Sequence, residues 1–241
     1  MKTRKDELKG KNCLITGATG ALGSELSKQL YDNGCNLFLT SRSLDKLRMM
    51  AFDLDPNGNR VHYTSFDLSN LSGIDGLFNE VDSVFERIDI LINSAGVFTI
   101  KEIENISNED LEVFVNVNVK SPYLFCKHFC KFMKNNRWGK IVNVGSSSSY
   151  SGFSNGTLYC TTKHAILGLS RSLYEELKPH NIQVICVSPG SMQSEMAKIS
   201  TDQDFSTFLL PSDVASQIVN ALSMGNNMVC NELRLNRFVI R

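Results

Sequence analysis

No run of apolar residues is long enough to cross a bilayer, which calls for about 20 in succession. The opening Met1 to Glu7 is charged and has no apolar centre of the kind a secretion signal carries. The seven cysteines form no CxxC pair and no Cys/His spacing suited to a metal. Reduced thiols in a cytoplasmic protein are the simplest account. An excess of either charge is missing too. Lys and Arg together number 25 and so do Asp and Glu, for a net charge of zero. This gives no footprint for nucleic acid and no polybasic patch for a membrane. Internal repeats, Pro-rich linkers and low-complexity blocks are also lacking, so one α/β domain over residues 1–241 is expected.

What is present begins with a short strand, Asn12 to Thr16, and the turn Gly17-Ala18-Thr19-Gly20-Ala21-Leu22-Gly23. A helix from about Ala21 to Tyr31 follows. Glycines at a strand-to-helix turn let the backbone approach a pyrophosphate, and the helix start adds N–H groups and partial positive charge. Tight turns need glycine for their own sake. The place of this one, at the first strand of an alternating βα pattern, points to a nucleotide. The second strand, Asn36 to Thr40, leads into Ser41 and Arg42. An acidic residue there would bond a ribose 2′-hydroxyl and repel a 2′-phosphate. A neutral serine beside a guanidinium suits the phosphate. NADPH is therefore expected over NADH, the alternative being an Arg42 merely solvated at a helix start.

A third strand, Val61 to Phe66, ends in Asp67 and Leu68, and Asp67 suits the cap of a helix starting near Asn70. A fourth strand, Ile88 to Asn93, runs into Ser94-Ala95-Gly96. A long helix from about Asn108 to Lys134 carries Asn118 and, four residues on, Pro122, which allows a kink. An Asn buried in a helix is costly unless paired. Asn116 fits a solvated outer face better. Cys126 and Cys130, without a nearby His, read as packing groups.

The run Lys140 to Val144 reads as a buried strand leading to a serine loop that starts at Ser146. Tyr159 and Lys163 follow in a helix ending near Leu177. Residues four apart share a helix face, so the phenol and the ammonium project together. A Tyr ordinarily ionises near ~10. An ammonium about 4 Å away at an effective dielectric of ~20 favours the phenolate by roughly 4 kcal/mol, before desolvation offsets part of it. The expectation is a phenol brought near working pH, where acid–base catalysis is most effective.

A serine thirteen residues before a YxxxK motif resembles the active site of the short-chain dehydrogenase/reductase family, and the resemblance extends from about Lys11 to Leu235. Thr16, Gly17 and Gly23 match the family's TGxxxGxG, with Ala21 at the middle glycine and Gly20 one residue early. Asn93-Ser94-Ala95-Gly96 resembles NNAG, with Ser94 for the second Asn. Val117-Asn118-Val119-Lys120-Ser121 resembles the N-x-K-G segment. Pro189-Gly190-Ser191-Met192-Gln193-Ser194 looks like P-G-x-x-x-T, with Ser194 at the Thr.

The resemblance implies one doubly wound Rossmann domain with a seven-stranded, mainly parallel sheet and helices on both faces. It implies that Tyr159 is the acid, that Lys163 lowers its pKa and bonds the nicotinamide ribose, and that Ser146 orients the carbonyl. Asn118 would hold a water on the proton path. Thr16, Gly17, Thr19, Gly20, Ala21, Leu22, Gly23, Ser41, Arg42, Asp67, Leu68, Asn93, Ala95 and Gly96 would line the cofactor's adenosine half. Pro189, Gly190, Met192 and Ser194 would line its nicotinamide half. Asn93 is read as a tie between strands, and Asp67 as lying by the adenine.

Residues 195–211 stand where the family has its substrate lid. Pro211 to Leu222 reads as a helix and Met228 to Leu235 as a last strand. The tail lacks V-D-G-G and looks more like members that act on hydroxy-acids or small carbonyls than like acyl-carrier reductases. Cys160 reads as packing, with redox sensitivity the second reading. The expected activity is NADPH-dependent interconversion of a ketone and a secondary alcohol. The alternatives are a sugar or nucleotide-sugar enzyme and a non-catalytic NADP sensor. A homodimer or homotetramer through the helices near 108–134 and 155–178 is expected from the resemblance.

Overall fold

The computed structural model describes residues 7–199, 203–225 and 228–238. Seven strands form one sheet: β1 (Asn12–Thr16), β2 (Asn36–Ser41), β3 (Val61–Ser65), β4 (Ile90–Asn93), β5 (Gly139–Val144), β6 (Ile182–Pro189) and β7 (Glu232–Leu235). Their order is β3-β2-β1-β4-β5-β6-β7, and every pairing is parallel. The sheet is thus wholly parallel rather than mainly so.

Alternation along the strands sends neighbouring residues to opposite faces. Cys13, Ile15, Leu37, Leu39, Ile90 and Ile92 pack on one face. There they meet α1 (Ala21–Asp32), α2 (Leu44–Leu54) and α7 (Pro211–Leu222) through Leu26, Leu47 and Ile218. Leu14, Phe38, Leu91 and Ile141 pack on the other. Their partners include α3 (Ile74–Val84) and α5 (Ser121–Asn136), through Phe78 and Phe125. Burial on both faces is why these strands read as unbroken apolar runs.

The chain winds outward from β1 to β3, then crosses back to place β4 on the other side of β1. That reversal opens a crevice at the carboxyl ends of β1 and β4, where such folds hold ligands. Thr16 pairs with Asn93, and Asn93 with Asn143, so the strand ends are level there.

Several boundaries differ from the sequence reading. The helix expected over 108–134 is α4 (Asn108–Val115), a π-helical turn (Asn116–Lys120) and α5. Helix α3 starts at Ile74, not near Asn70. Asp67 and Asn70 accept backbone N–H groups two residues on, and Gly73 takes a left-handed φ of 78° before the helix. Asp67 is therefore a turn residue and not a helix cap. β7 spans only Glu232–Leu235, and Met228, expected at its start, donates its N–H to Gly225 O at 3.2 Å instead. Part of the expected lid, residues 200–202, lies outside the described residues.

Candidate active site

One cleft of about 1710 Å³ runs along the carboxyl ends of the strands. At its floor Gly17 has a φ of +66°, and a Cβ there would sit 2.7 Å from Ala95 Cα. A Cβ on Gly23 would run into Gly17 O. These glycines let β1, α1 and β4 close to backbone contact. Thr16 Oγ1 accepts the Ala95 N–H at 3.2 Å across that junction. Helix α1 then starts after Gly20 with no side-chain cap and no acidic residue in its first turn. Thr19, Ala21 and Leu22 line the cleft with the glycines. This is bare backbone plus helix-start N–H groups, which fits a pyrophosphate. Ala21 leaves the passage open although the family pattern places glycine there.

At the outer end of the cleft Thr19 Oγ1 donates to Ser41 Oγ at 3.0 Å. Arg42 lines the wall with an exposed side chain that forms no salt bridge among the described residues. Ser43 caps α2 by accepting the Lys46 N–H. Lys46 lines the same corner. The sequence reading missed it, although its signal was a lysine four residues after Arg42 at a helix start. Two cations beside two hydroxyls fit a phosphate, and Ser41 rather than a carboxylate stands at the end of β2. Asp67 and Leu68 line the wall opposite.

The central wall is built by the π turn, β5 and α6 (Thr157–Leu177). Asn118 is 1% exposed. Its Oδ1 accepts Val97 N–H at 2.9 Å, and its Nδ2 donates to Val97 O at 3.0 Å and Thr162 Oγ1 at 3.1 Å. The side chain is thus fully used in tying the helix to the segment after β4. Pro122 has no N–H to offer the Asn118 carbonyl four residues back, so that carbonyl lacks its ordinary helical donor. Asn116 is not solvated as expected; it is buried and its amide donates to Ser69 O at 2.9 Å. Asn93 bridges β4 to β5, its amide donating to Asn143 Oδ1 at 2.8 Å.

Ser146 is buried just past β5, and its Oγ accepts the Ser148 N–H at 3.1 Å. Tyr159 stands edge-on to Phe98, with ring centres 4.8 Å apart. Lys163 is 5% exposed and its Nζ donates to Val144 O at 2.9 Å. Beside Gly96, the point where a Cβ would stand is 3.6 Å from Lys163 Nζ and 3.5 Å from Asn118 Oδ1. Ser146, Tyr159 and Lys163 all line the cleft.

The electrostatics differ from the sequence expectation. Burial pushes the Tyr159 phenol above its ordinary value, and the Ser146 hydroxyl is what pulls it back. Lys163 Nζ lies 5.7 Å from the centre of the Tyr159 ring and is anchored on Val144 O. Burial costs the ammonium its own hydration and lowers it to about 8. The lysine is thus a weakened cation, and desolvation dominates the phenol.

At the inner end Gly190 N–H donates to Leu235 O at 2.7 Å, joining the loop after β6 to the end of β7. Ser194 Oγ donates to Met192 O at 3.3 Å and accepts the Ala197 N–H at 3.2 Å. Pro189, Gly190, Met192 and Ser194 line the cleft there. Leu209 N–H bonds Ser191 O and Gln193 N–H bonds Leu209 O, both at 2.9 Å, so the segment before α7 is stitched over the loop. Arg237 also lines the cleft, and so do Phe98 and Phe153; the sequence reading singled out none of them.

Fold and cleft together define an oxidoreductase that works with a nicotinamide dinucleotide. Residues 11–204 match the short chain dehydrogenase family, and the chain belongs to it. It is 29% identical over 198 residues to a 3-oxoacyl-(acyl-carrier-protein) reductase of Aquifex aeolicus, covering 82% of this chain and 80% of that one. It is 31% identical over 190 residues to nodulation protein G of Rhizobium meliloti, covering 79% and 76%. A metagenomic short-chain oxidoreductase solved in complex with NADP superposes with a TM-score of 0.84 at 25% identity, covering 97% of this chain and all of that one.

Proposed function

We propose that this protein is an NADPH-dependent ketoreductase that interconverts a ketone and a secondary alcohol. The observation that carries the reading is the meeting of Ser146, Tyr159 and Lys163 in the one cleft that also holds the glycine turn. NADPH, when bound, supplies the hydride. Gly17, Thr19, Gly20, Ala21, Leu22 and Gly23 receive the pyrophosphate, and Ser41, Arg42 and Lys46 the 2′-phosphate; Thr16, expected among the former, is buried and supports the turn through its bond to Ala95. Ala95 and Gly96 offer flat backbone to the adenosine half, beside Asp67 and Leu68. Pro189, Gly190, Met192 and Ser194 hold the nicotinamide end. The NADP carried by the metagenomic relative supports the choice of cofactor.

Tyr159 gives its proton to the carbonyl oxygen as the alcohol forms. A phenol held above its ordinary value by burial is protonated at neutral pH, which is the form reduction needs. Ser146 orients the carbonyl and stabilises charge building on its oxygen. Lys163 stabilises the phenolate left behind, and the Asn118 carbonyl anchors the water through which the proton is replaced.

We also read residues 1–241 as one domain, acting in the cytoplasm as a dimer or tetramer. No helix among the described residues is long and apolar enough to cross a membrane. Tyr123 is exposed on α5, and Thr161, His164, Ala165 and Gly168 on α6, which suits close approach of paired helices.

The test is NADPH oxidation with methyl benzoylformate and a panel of neutral ketones. Wild-type protein reduces at least one of them. Tyr159→Phe loses about 100-fold or more in kcat while keeping its NADPH-induced thermal shift. A variant as active as wild type would refute the role of the phenol.

A further inference from the structure

We propose that the substrate of this ketoreductase carries a free carboxylate, and that Arg237 is the residue that selects it. The proposal rests on the ketoreductase reading and adds its substrate class. Arg237 follows β7 in the stretch that begins with the Leu235 carbonyl bonded to Gly190. Asn236 lies against the same glycine, its Oδ1 3.6 Å from where a Gly190 Cβ would stand. The tail is therefore fixed to the loop that lines the nicotinamide end, and it carries the next side chain into the cleft.

The guanidinium is half-buried and already aimed. It donates to Thr207 Oγ1 at 3.2 Å and to Gln203 Oε1 at 2.6 Å, and its carbon lies 4.8 Å from the centre of the Phe208 ring. All these partners are neutral. No carboxylate pairs with Arg237 among the described residues.

The other cations of the cleft are accounted for. Arg42 and Lys46 stand at the far, adenosine end. Lys163 is anchored on Val144 O. Lys198, at the inner end, is paired with Glu195 at 2.6 Å. Among the described residues that leaves one uncompensated positive charge on the substrate side, on a planar fork that matches a carboxylate. Phe98, packed against both Phe153 and Tyr159, gives the same cleft an apolar lining together with Met192. Such a pocket takes a molecule with an apolar body, a ketone at one point and an acid at another. Two neutral acceptors hold the guanidinium in place and use only part of its five donors.

The experiment sets each of three oxo-acids against its own methyl ester: benzoylformate, acetoacetate and levulinate. KM is measured with NADPH. Binding is read independently by thermal unfolding with each compound in the presence of NADP+. The expected result is that at least one acid shows a KM about tenfold or more below its ester's, the worth of one charge-assisted bidentate contact. Its thermal shift is larger in the same order. Arg237→Met collapses the acid-to-ester ratio for that acid to near one. Arg237→Lys, which keeps the charge without the fork, retains part of it.

Esters used and bound as well as their acids by wild type would overturn the proposal, and so would a preference that survives in Arg237→Met. A loss of NADPH affinity in Arg237→Met, with the acid preference intact, would assign the guanidinium to the cofactor and overturn it too. If no compound is reduced, the ketoreductase reading fails. The thermal shifts then still decide Arg237: acids bound above esters in wild type only support it, and equal shifts overturn it.

Discussion

Tyr159 and Lys163 sit in a part of the cleft dry enough to work against both of their charged forms. Burial raises the phenol and lowers the ammonium to about 8. The two shifts set a pH dependence for reduction. The phenol stays protonated through neutral pH and beyond. The ammonium that stabilises the phenolate after proton transfer is lost as pH passes about 8. The rate of ketone reduction should therefore fall on the alkaline side of about pH 8, and a rate flat to pH 10 would contradict this assignment.

At the adenosine end, Arg42→Ala should weaken NADPH binding by about tenfold, the worth of one charge-assisted hydrogen bond. NADH binding should be unaffected, and titration of each cofactor reads the difference. Tyr159, Lys163 and Ser146 were legible in the sequence because helix periodicity and a strand-to-loop junction fix their relation. Lys46 and Arg237 were not, since a lone basic residue gives no sign of what it faces. Asn116 was misread because its partner, Ser69 O, lies 47 residues away. The lysine's effect on the phenol was misjudged because spacing reports adjacency and not burial.

At the scale of elements, the glycine turn and a buried lysine make opposite demands on the chain. A methyl group on Gly23 would collide with Gly17 O, a backbone atom that cannot swing aside. Gly23→Ala should lower stability by about 1–3 kcal/mol and abolish the NADPH-induced thermal shift. A normal shift would show that the turn does not hold the cofactor.

Lys140 is 1% exposed on β5, and its Nζ donates to Leu222 O and Met224 O, both at 2.7 Å, closing the end of α7. Burial lowers it to about 8. Below that pH it is charged folded and unfolded alike, so the full cost of burying the charge is present. Above about 8 the folded chain sheds a proton that the unfolded chain keeps, and stability rises by about 1 kcal/mol per pH unit. Lys163 acts in the same direction. Thiols work against both: Cys35 and Cys126 are pushed up to about 12, and Cys13, Cys130, Cys186 and Cys230 are raised too, which costs stability as pH approaches and passes the ordinary thiol value of about 8.5. Urea unfolding of wild type and Lys140→Met at pH 8 and pH 9 should show the change in stability between the two pH values to be less favourable by about 1 kcal/mol in the variant, and the same change in both would contradict the role of Lys140. The strands themselves were plain in the sequence, as apolar runs between turns. The π turn was not, since its geometry goes with Asn118 finding Val97 and Thr162 inside the wall of the cleft.

For the whole molecule, the order β3-β2-β1-β4-β5-β6-β7 follows from alternating strands and helices, and the sequence carried that alternation openly. The path of the tail was less legible, because Arg237 is carried to the cleft by the short pairing of β7 with β6 and the Gly190 N–H bond to Leu235 O. The proposed pairing of α5 and α6 across subunits predicts a mass of two or four chains by solution scattering at micromolar concentration, and a monomeric mass would reject that assembly.

The central claim is that the cleft takes a nicotinamide cofactor with a 2′-phosphate. Thermal unfolding with NADPH and with NADH at matched concentration tests it most directly. A ligand at 100 times its dissociation constant stabilises by about 2.7 kcal/mol. A clearly larger shift with NADPH is the predicted result. An equal or larger shift with NADH would contradict the phosphate reading of Ser41, Arg42 and Lys46, and no shift with either would contradict the cofactor site itself.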